Sequence, residues 1–254
     1  MADYGFRARN SLTGSIQIDQ DYQNVELLEI RQIVTQPNPA PSFDPRNWHY
    51  LSGYSGFFLA FPDYLYAFFA GSVRVARRGF NPGRGTEYVA EAPPGTIITC
   101  YIFGAPRQEM IGSDYGLIVR NAAGEITFNS TRPYLNVAHI LAGNDYFSPL
   151  PSVTLPAGRT YAVMQGSWSG KQWFSEASPY PGGQVYEYWL EEWGLMTSLT
   201  GAGGNILTSG NHQWMAGYTA DLRTNWTPGY AHEFENRSYV LVIADVTYFE
   251  GAFL

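Results

Sequence analysis

The sequence predicts an all-β fold of two tandem β-sandwich-like domains related by internal duplication. Three observations point there. The 254 residues include 27 Gly and 16 Pro, and 16% are aromatic, a mix that favours many strands joined by turns over long helices. Short stretches alternate apolar and polar residues with the period of two that marks a half-buried strand. The chain also starts twice: DYGFRARNSLTGSIQID from Asp3 is echoed by DYGLIVRNAAGEITFNS from Asp114.

The two openings align with one gap in the loop after the Asn and one before a later Tyr. Asp3, Tyr4 and Gly5 meet Asp114, Tyr115 and Gly116; Arg9 and Asn10 meet Arg120 and Asn121; Gly14 meets Gly124 and Ile16 meets Ile126. Tyr22, Asn24 and Val25 then meet Tyr134, Asn136 and Val137. In the first copy Phe6 and Ala8 alternate with Arg7 and Arg9, and Ile16 and Ile18 continue the pattern after the loop. A short loop that begins with Asn and ends near Gly is hairpin chemistry, because Gly accepts the positive φ of the turn. Residues 4–18 and 115–128 are therefore predicted hairpins. Tyr4, Gly5, Asn10 and Gly14, with Tyr115, Gly116, Asn121 and Gly124, read as fold-maintaining residues. Two weaker echoes follow in the same order: PDYLYAFFAG (62–71) with PAGRTYAVMQG (156–166), and TIITCYIFG (96–104) with SYVLVIADV (238–246). These place one domain at residues 1–112 and a second at 113–254.

The copies differ in two places. The first carries a Pro-rich arm, residues 35–48 (TQPNPAPSFDPRNW), with little helix potential. The second carries an insertion, residues 167–236, with Trp168, Trp173, Trp189, Trp193, Trp214 and Trp226, six of the seven tryptophans. Two explanations compete. A larger domain needs a larger core, which Trp fills; or a loop cluster displays rings to a partner or a sugar, since Trp is enriched at interface hot spots. Trp168, Trp173 and Trp226, with Phe174 and Tyr186, are the candidate partner- or receptor-binding residues. Trp189 and Trp193, beside Leu190, Leu195 and Met196, are the candidate anchors of the insertion. Within it, residues 183–196 fit a strand by one spacing and a helix by another, and TGAGGNILTSGNHQW (200–214) suits a mobile loop.

Composition excludes several classes. Net charge is −7 and the basic run is confined to residues 74–78, where Val and Ala alternate with Arg on a predicted strand, so nucleic acid is not an expected partner. The single cysteine, Cys100, rules out intrachain disulfides and is expected to be a buried small hydrophobe. GFFLAFPDYLYAFFAG (56–71) is cut by Pro62 and Asp63, is too short to span a bilayer and reads as two core strands around a turn. The opening MADYGFRARN is not a signal peptide.

Catalytic patterns are sparse. His49, His139, His212 and His232 never fall at metal-ligand spacing, and neither a metal nor a cofactor is expected. SGYSG (52–56) lacks the residue order of a nucleophile elbow. Glu187, Glu191 and Glu192 sit near tryptophans, but two of them are adjacent and nothing sets the separation a glycosidase pair needs. No enzyme activity is expected.

The run Tyr115-Gly116-Leu117-Ile118-Val119-Arg120-Asn121-Ala122-Ala123-Gly124-Glu125-Ile126-Thr127-Phe128, followed by Tyr134 and Val137, resembles the opening of small tail proteins of tailed bacteriophages. These begin Tyr-Gly-Leu, run into Asn or Asp before a Gly turn, and continue with an apolar strand. The resemblance covers about the first quarter of each unit and supplies no binding residues. It implies a minor tail protein at the tail tip or fibre region, made in the host cytoplasm without a signal peptide and oligomeric in the virion. Other tail proteins would be its partners, and a glycan or protein on the host surface a further contact. The rival reading is a carbohydrate-binding receptor-recognition protein using the Trp-rich loops; a glycoside hydrolase comes third.

Overall fold

The computed structural model describes residues 7–9, 16–19, 24–37, 48–60, 66–81, 84–109, 116–148, 150–177, 186–221 and 232–249. Apart from a 3-10 turn at Ala202–Gly204, every named element among them is a strand, and every strand pairing is antiparallel. The first half contributes β1 (Arg7–Arg9), β2 (Ile16–Asp19), β3 (Glu26–Val34), β4 (Trp48–Tyr50), β5 (Ser55–Leu59), β6 (Tyr66–Ala70), β7 (Val75–Asn81), β8 (Gly85–Ala90) and β9 (Ile97–Gly104). The second contributes β10 (Ile118–Arg120), β11 (Ile126–Asn129), β12 (Val137–Gly143), β13 (Val153–Thr154), β14 (Tyr161–Gln165), β15 (Gly170–Ala177), β16 (Tyr186–Thr200), β17 (Ile206–Asp221), β18 (His232–Asn236) and β19 (Tyr239–Asp245).

Both openings are hairpins with one register. Arg9 pairs with Ile16 after a shift that skips Gln17, and Arg120 pairs with Ile126 after a shift that skips Thr127. In the second hairpin the turn chemistry is visible. Asn121 Oδ1 accepts from the N–H groups of Ala123 and Glu125, at 3.0 and 2.9 Å, and Gly124 sits at φ +84°. An Asn side chain that mimics backbone and a Gly at positive φ close the loop. Tyr4, Gly5, Asn10, Gly14 and Tyr115 lie outside the described residues.

Two sheets form a sandwich. The strand orders are β12-β19-β14-β6-β9-β3 and β13-β17-β16-β7-β8-β5, with β15 and β18 attached beside β16, and β4 beside β17. Each half supplies six of the ordered strands, and its first, sixth and third strands build half of the first sheet while its second, fifth and fourth build half of the other. The order reads the same from either edge. Both sheets cross the 112/113 boundary, through Val163 opposite Phe69 and Thr197 opposite Val75.

Two cores lie between the sheets. In the first half the rings of Phe57, Phe69 and Tyr88 meet at centroid distances of 4.8–5.6 Å, with Cys100 and Ile102 beside them. In the second half Leu195, Leu199 and Leu207 face Tyr161, Leu241 and Ile243. A third cluster covers the other face of the six-stranded sheet: Leu27, Phe68, Tyr101, Phe103, Ala162 and Ala244 lie under Val246 and Phe249. A sheet buried on both faces explains why β6, β9 and β19 read as continuous apolar runs instead of alternating. Cys100 is fully buried and unbonded, and burial pushes its thiol pKa well above the usual range.

Two expectations need correction. Residues 206–214, expected as loop, belong to β17, because their backbone pairs along β16. The two core strands expected in 56–71 are β5 and β6, in opposite sheets, and the residues between them, 61–65, fall outside the described residues. The weaker echoes are one residue out of phase with the sheet. Tyr66 pairs with Phe103 of the outer cluster, whereas Tyr161 lies in the inner core, and a one-residue slip moves a strand's side chains to the other face. The strand predicted at 74–78 begins at Val75.

The second hairpin is held on the start of β3. The Asn24 N–H and its side-chain amide both donate to the carbonyl of the skipped residue Thr127, at 3.1 and 2.9 Å. Leu27 N donates to Pro133 O and Leu135 N to Val25 O, both at 2.8 Å, so Glu26 lies opposite Tyr134.

Candidate binding surface

β16 and β17 are 15 and 16 residues long. At about 3.3 Å per residue each spans roughly 50 Å, well beyond an ordinary strand. Their inner ends, near the Ala202–Gly204 turn, belong to the sandwich and pair with β7 and β13. From Gly194 outward β16 exchanges β7 for β15, and from Met215 outward β17 is flanked by β4. The result is a five-stranded blade, β18-β15-β16-β17-β4, that continues the nine-stranded sheet past the sandwich strands.

The fork is built by named contacts. Ser169 O accepts from Leu195 N at 2.9 Å, and the Ser169 hydroxyl donates to Ser238 O at 2.7 Å. Asn236 donates its side-chain amide to Trp168 O at 2.6 Å and accepts from Ser238 N through Oδ1. Trp168 is half-buried, with its ring against Gly170; a Cβ there would stand 2.5 Å from the carbonyl oxygen of Trp193 and 2.9 Å from the Trp168 ring. Beside the fork, Arg78 lies in a bulge of β7 and reaches two strands. Its Nε and Nη2 donate to the two carboxylate oxygens of Glu192 at 2.7 and 2.9 Å, and its Nη1 donates to Glu87 at 2.7 Å. All three side chains are nearly buried, with Glu192 at 2% exposure.

Register sets the rows of the blade. Trp173 stands between Glu233 and Glu191, and Ala216 and His49 complete that row. The next row runs His232, Phe174, Leu190, Gly217, Trp48. Trp189 stands between Ser175 and Tyr218, and Trp193, half-buried, between Lys171 and Gln213. Trp214 is the residue skipped where the register shifts opposite Glu192 and Trp193. Tyr186 opens β16 opposite Asp221. Counted along β16, the rows of Trp173, Trp189 and Trp193 are of one parity and that of Phe174 is of the other. Five of the seven tryptophans thus lie on blade strands; Trp168 lies at the root, and Trp226 falls outside the described residues.

Sequence reasoning missed two parts of this surface. Trp48-His49-Tyr50 begins at the last residue of the Pro-rich arm, in the first half of the sequence, yet its backbone forms the blade's edge against β17. Arg78 read as one of several strand arginines; its neighbour Gly79, which marks the bulge, was the available signal. Glu191 and Glu192 fall in adjacent rows on opposite faces, and Glu192 is engaged by Arg78. Among the described residues no group of three or more His, Cys, Asp or Glu gathers in a metal-binding arrangement, and no helix is long and apolar enough to cross a membrane.

No family model matches the chain, and neither the curated proteins nor the solved structures contain a match.

Proposed function

We propose that this protein is a structural component of a bacteriophage tail, at the tip or fibre region, and that it acts by binding: the aromatic blade docks it to neighbouring virion proteins. The observation that carries the reading is the blade itself. Among the described residues the first half supplies three of the six ordered strands of each sheet and no counterpart of β15 or β18, so those strands serve something other than closing the sandwich. With β4 and the outer lengths of β16 and β17 they form a sheet extension whose strands carry five tryptophans, and clustered Trp is the composition of an interface hot spot. The hairpin's resemblance to tail-protein openings supplies the setting.

The halves are proposed to descend from one duplicated unit. Support comes from the shared strand order and from the skipped residue at the same rank of both hairpins.

A second reading has its own support. Trp173, Trp189 and Trp193 fall in rows of one parity, a spacing that suits rings stacking on successive sugar faces, so the same blade serves a receptor-recognition protein. The test is to make Trp168→Ala, Trp173→Ala and Trp226→Ala, then measure melting, virion incorporation and host adsorption. Docking predicts near-normal melting with incorporation lost, each interface Trp weakening binding by about 2 kcal/mol or more. Normal incorporation with lost adsorption selects the glycan reading. Early melting of all three, or normal behaviour in every assay, overturns both.

A further inference from the structure

We propose that β12 is a self-association edge: it pairs antiparallel with β12 of a second copy of this chain and extends the six-stranded sheet across a two-fold axis. β12 ends that sheet, pairing only with β19 among the described residues. It carries no Asp, Glu, Lys or Arg from Val137 to Gly143, and His139 is its one titratable residue. It is also open: Val137 is 44% and Ile140 59% exposed, and Val240 on the neighbouring strand 40%. Soluble proteins usually blunt such an edge with charge, Pro, a bulge or a covering segment, because its free N–H and C=O groups template another strand. The opposite edge of the same sheet follows that rule. β3 carries Glu26, Glu29 and Arg31, and Arg31 donates to both carboxylate oxygens of Glu29, at 2.7 and 2.6 Å. β12 has one register shift, between Val137 and His139, and pairs regularly from His139 to Gly143.

The occupant follows from charge. A charged strand added to β12 would bring its charge against Ile140 and Val240, at a desolvation cost. The occupant must be uncharged, exposed and at least five residues long. Of the other edge strands described, β3 and β18 carry Glu or Arg, β1, β2, β4, β10, β11 and β13 are shorter, and β5 is buried. β12 of a second copy meets all three conditions. Antiparallel pairing of a strand with itself is isologous, so each favourable contact is made twice and growth stops at a dimer, with β3 blunted at both outer edges. This interface does not depend on the tail reading.

The experiment is a cysteine scan of the full chain. Cys100 is fully buried and does not compete. In an antiparallel pair the residue on the two-fold lies about 4.5–5.5 Å from its own copy between Cα atoms, within the span a disulfide bridges. Ala138→Cys, Ile140→Cys and Ala142→Cys are oxidised separately, and mass is measured by light scattering over a concentration series for the wild type, Ile140→Lys and Ile97→Lys. Ile97 is 58% exposed on the strand beside β3 and serves as the control. The expected result is a wild-type dimer, a monomeric Ile140→Lys protein, an unchanged Ile97→Lys dimer, and covalent dimer peaking at one position of β12. If Ile140→Lys fails to fold, the cysteine peak decides. A wild-type monomer at every concentration, or a dimer that shows no peak along β12, overturns the proposal.

Discussion

Arg132 Nη1 donates to Glu26 Oε2 at 2.9 Å, a contact between residues 106 apart that ties the second hairpin to the first half. The Glu26 carboxylate is fully buried and also accepts from Arg107, from its backbone N–H at 3.0 Å and its Nε at 2.8 Å. Arg132 has only 5% of its side chain exposed. A buried carboxylate offsets its desolvation only when its oxygens are filled, and removing one partner strands the other charge. Glu26→Ala should therefore cost about 3–5 kcal/mol in denaturant unfolding. Glu26→Gln keeps the shape and loses the charge, and should fall between the wild type and the Ala variant. A Glu26→Ala loss below about 1 kcal/mol, the scale of an exposed ion pair, would contradict this account.

The Arg78 fork makes a parallel case with a sharper geometric demand. One guanidinium serves two oxygens of Glu192 and one of Glu87 at once. Lys offers a single point of charge and cannot reproduce that fork. Arg78→Ala takes the guanidinium away from two buried carboxylates and should destabilise by about 3–5 kcal/mol. Arg78→Lys should recover only part of that loss. Full recovery in a melting comparison would show that charge alone, and not the planar fork, holds β7 against β16.

The strands and hairpins were legible in the sequence because they rest on local signals. The Arg7-Ala8-Arg9 alternation, Asn121 with Gly124 in the turn, and the apolar runs of β6, β9 and β19 each report a neighbourhood of a few residues. What could not be read depends on distant pairing. TGAGGNILTSGNHQW has loop composition, but β16 lies alongside and its ladder overrides the local preference of Gly, Ser and Asn. The echo of Tyr66-Ala67 in Tyr161-Ala162 aligned well as text; only the ladder reveals that the two tyrosines belong to opposite faces. The blade was legible as a concentration of Trp. Its edge strand was not, because Trp48 is separated from β17 by more than 150 residues of chain.

Gly170 tests whether the fork is closely fitted. A methyl group there would stand 2.5 Å from the carbonyl oxygen of Trp193 and press on the Trp168 ring, so backbone or ring must move. Gly170→Ala should cost about 1–3 kcal/mol, the range for overpacking a tight site. Gly79→Ala is the comparison, since nothing lies within 4 Å of a Cβ at that position. If both variants melt alike, the close approach at Gly170 is not a constraint on the blade.

Asp245 connects the last strand to acid sensitivity. Its side chain is 2% exposed, and burial alone would raise its pKa. The Thr247 hydroxyl and N–H, donating to Oδ1 at 2.6 and 3.1 Å, and the Arg159 guanidinium at Oδ2 outweigh burial and hold the carboxyl below its ordinary value. Thr247 also accepts from Thr160 N at 2.9 Å, so the same network ties the segment after β19 to the turn before β14. A carboxyl whose folded pKa lies below its unfolded value, about 3.9, gives its full stabilisation above that value and loses it as pH falls through the folded pKa. The measurement is unfolding free energy from pH 7 down to pH 2.5 for the wild type and Asp245→Asn. The advantage of the wild type should be constant above about pH 5 and shrink steadily below it, because that is where the unfolded carboxyl begins to bind its proton first. An advantage that is flat throughout, or that grows on acidification, would mean that burial and not the Thr247 and Arg159 donors governs this carboxylate.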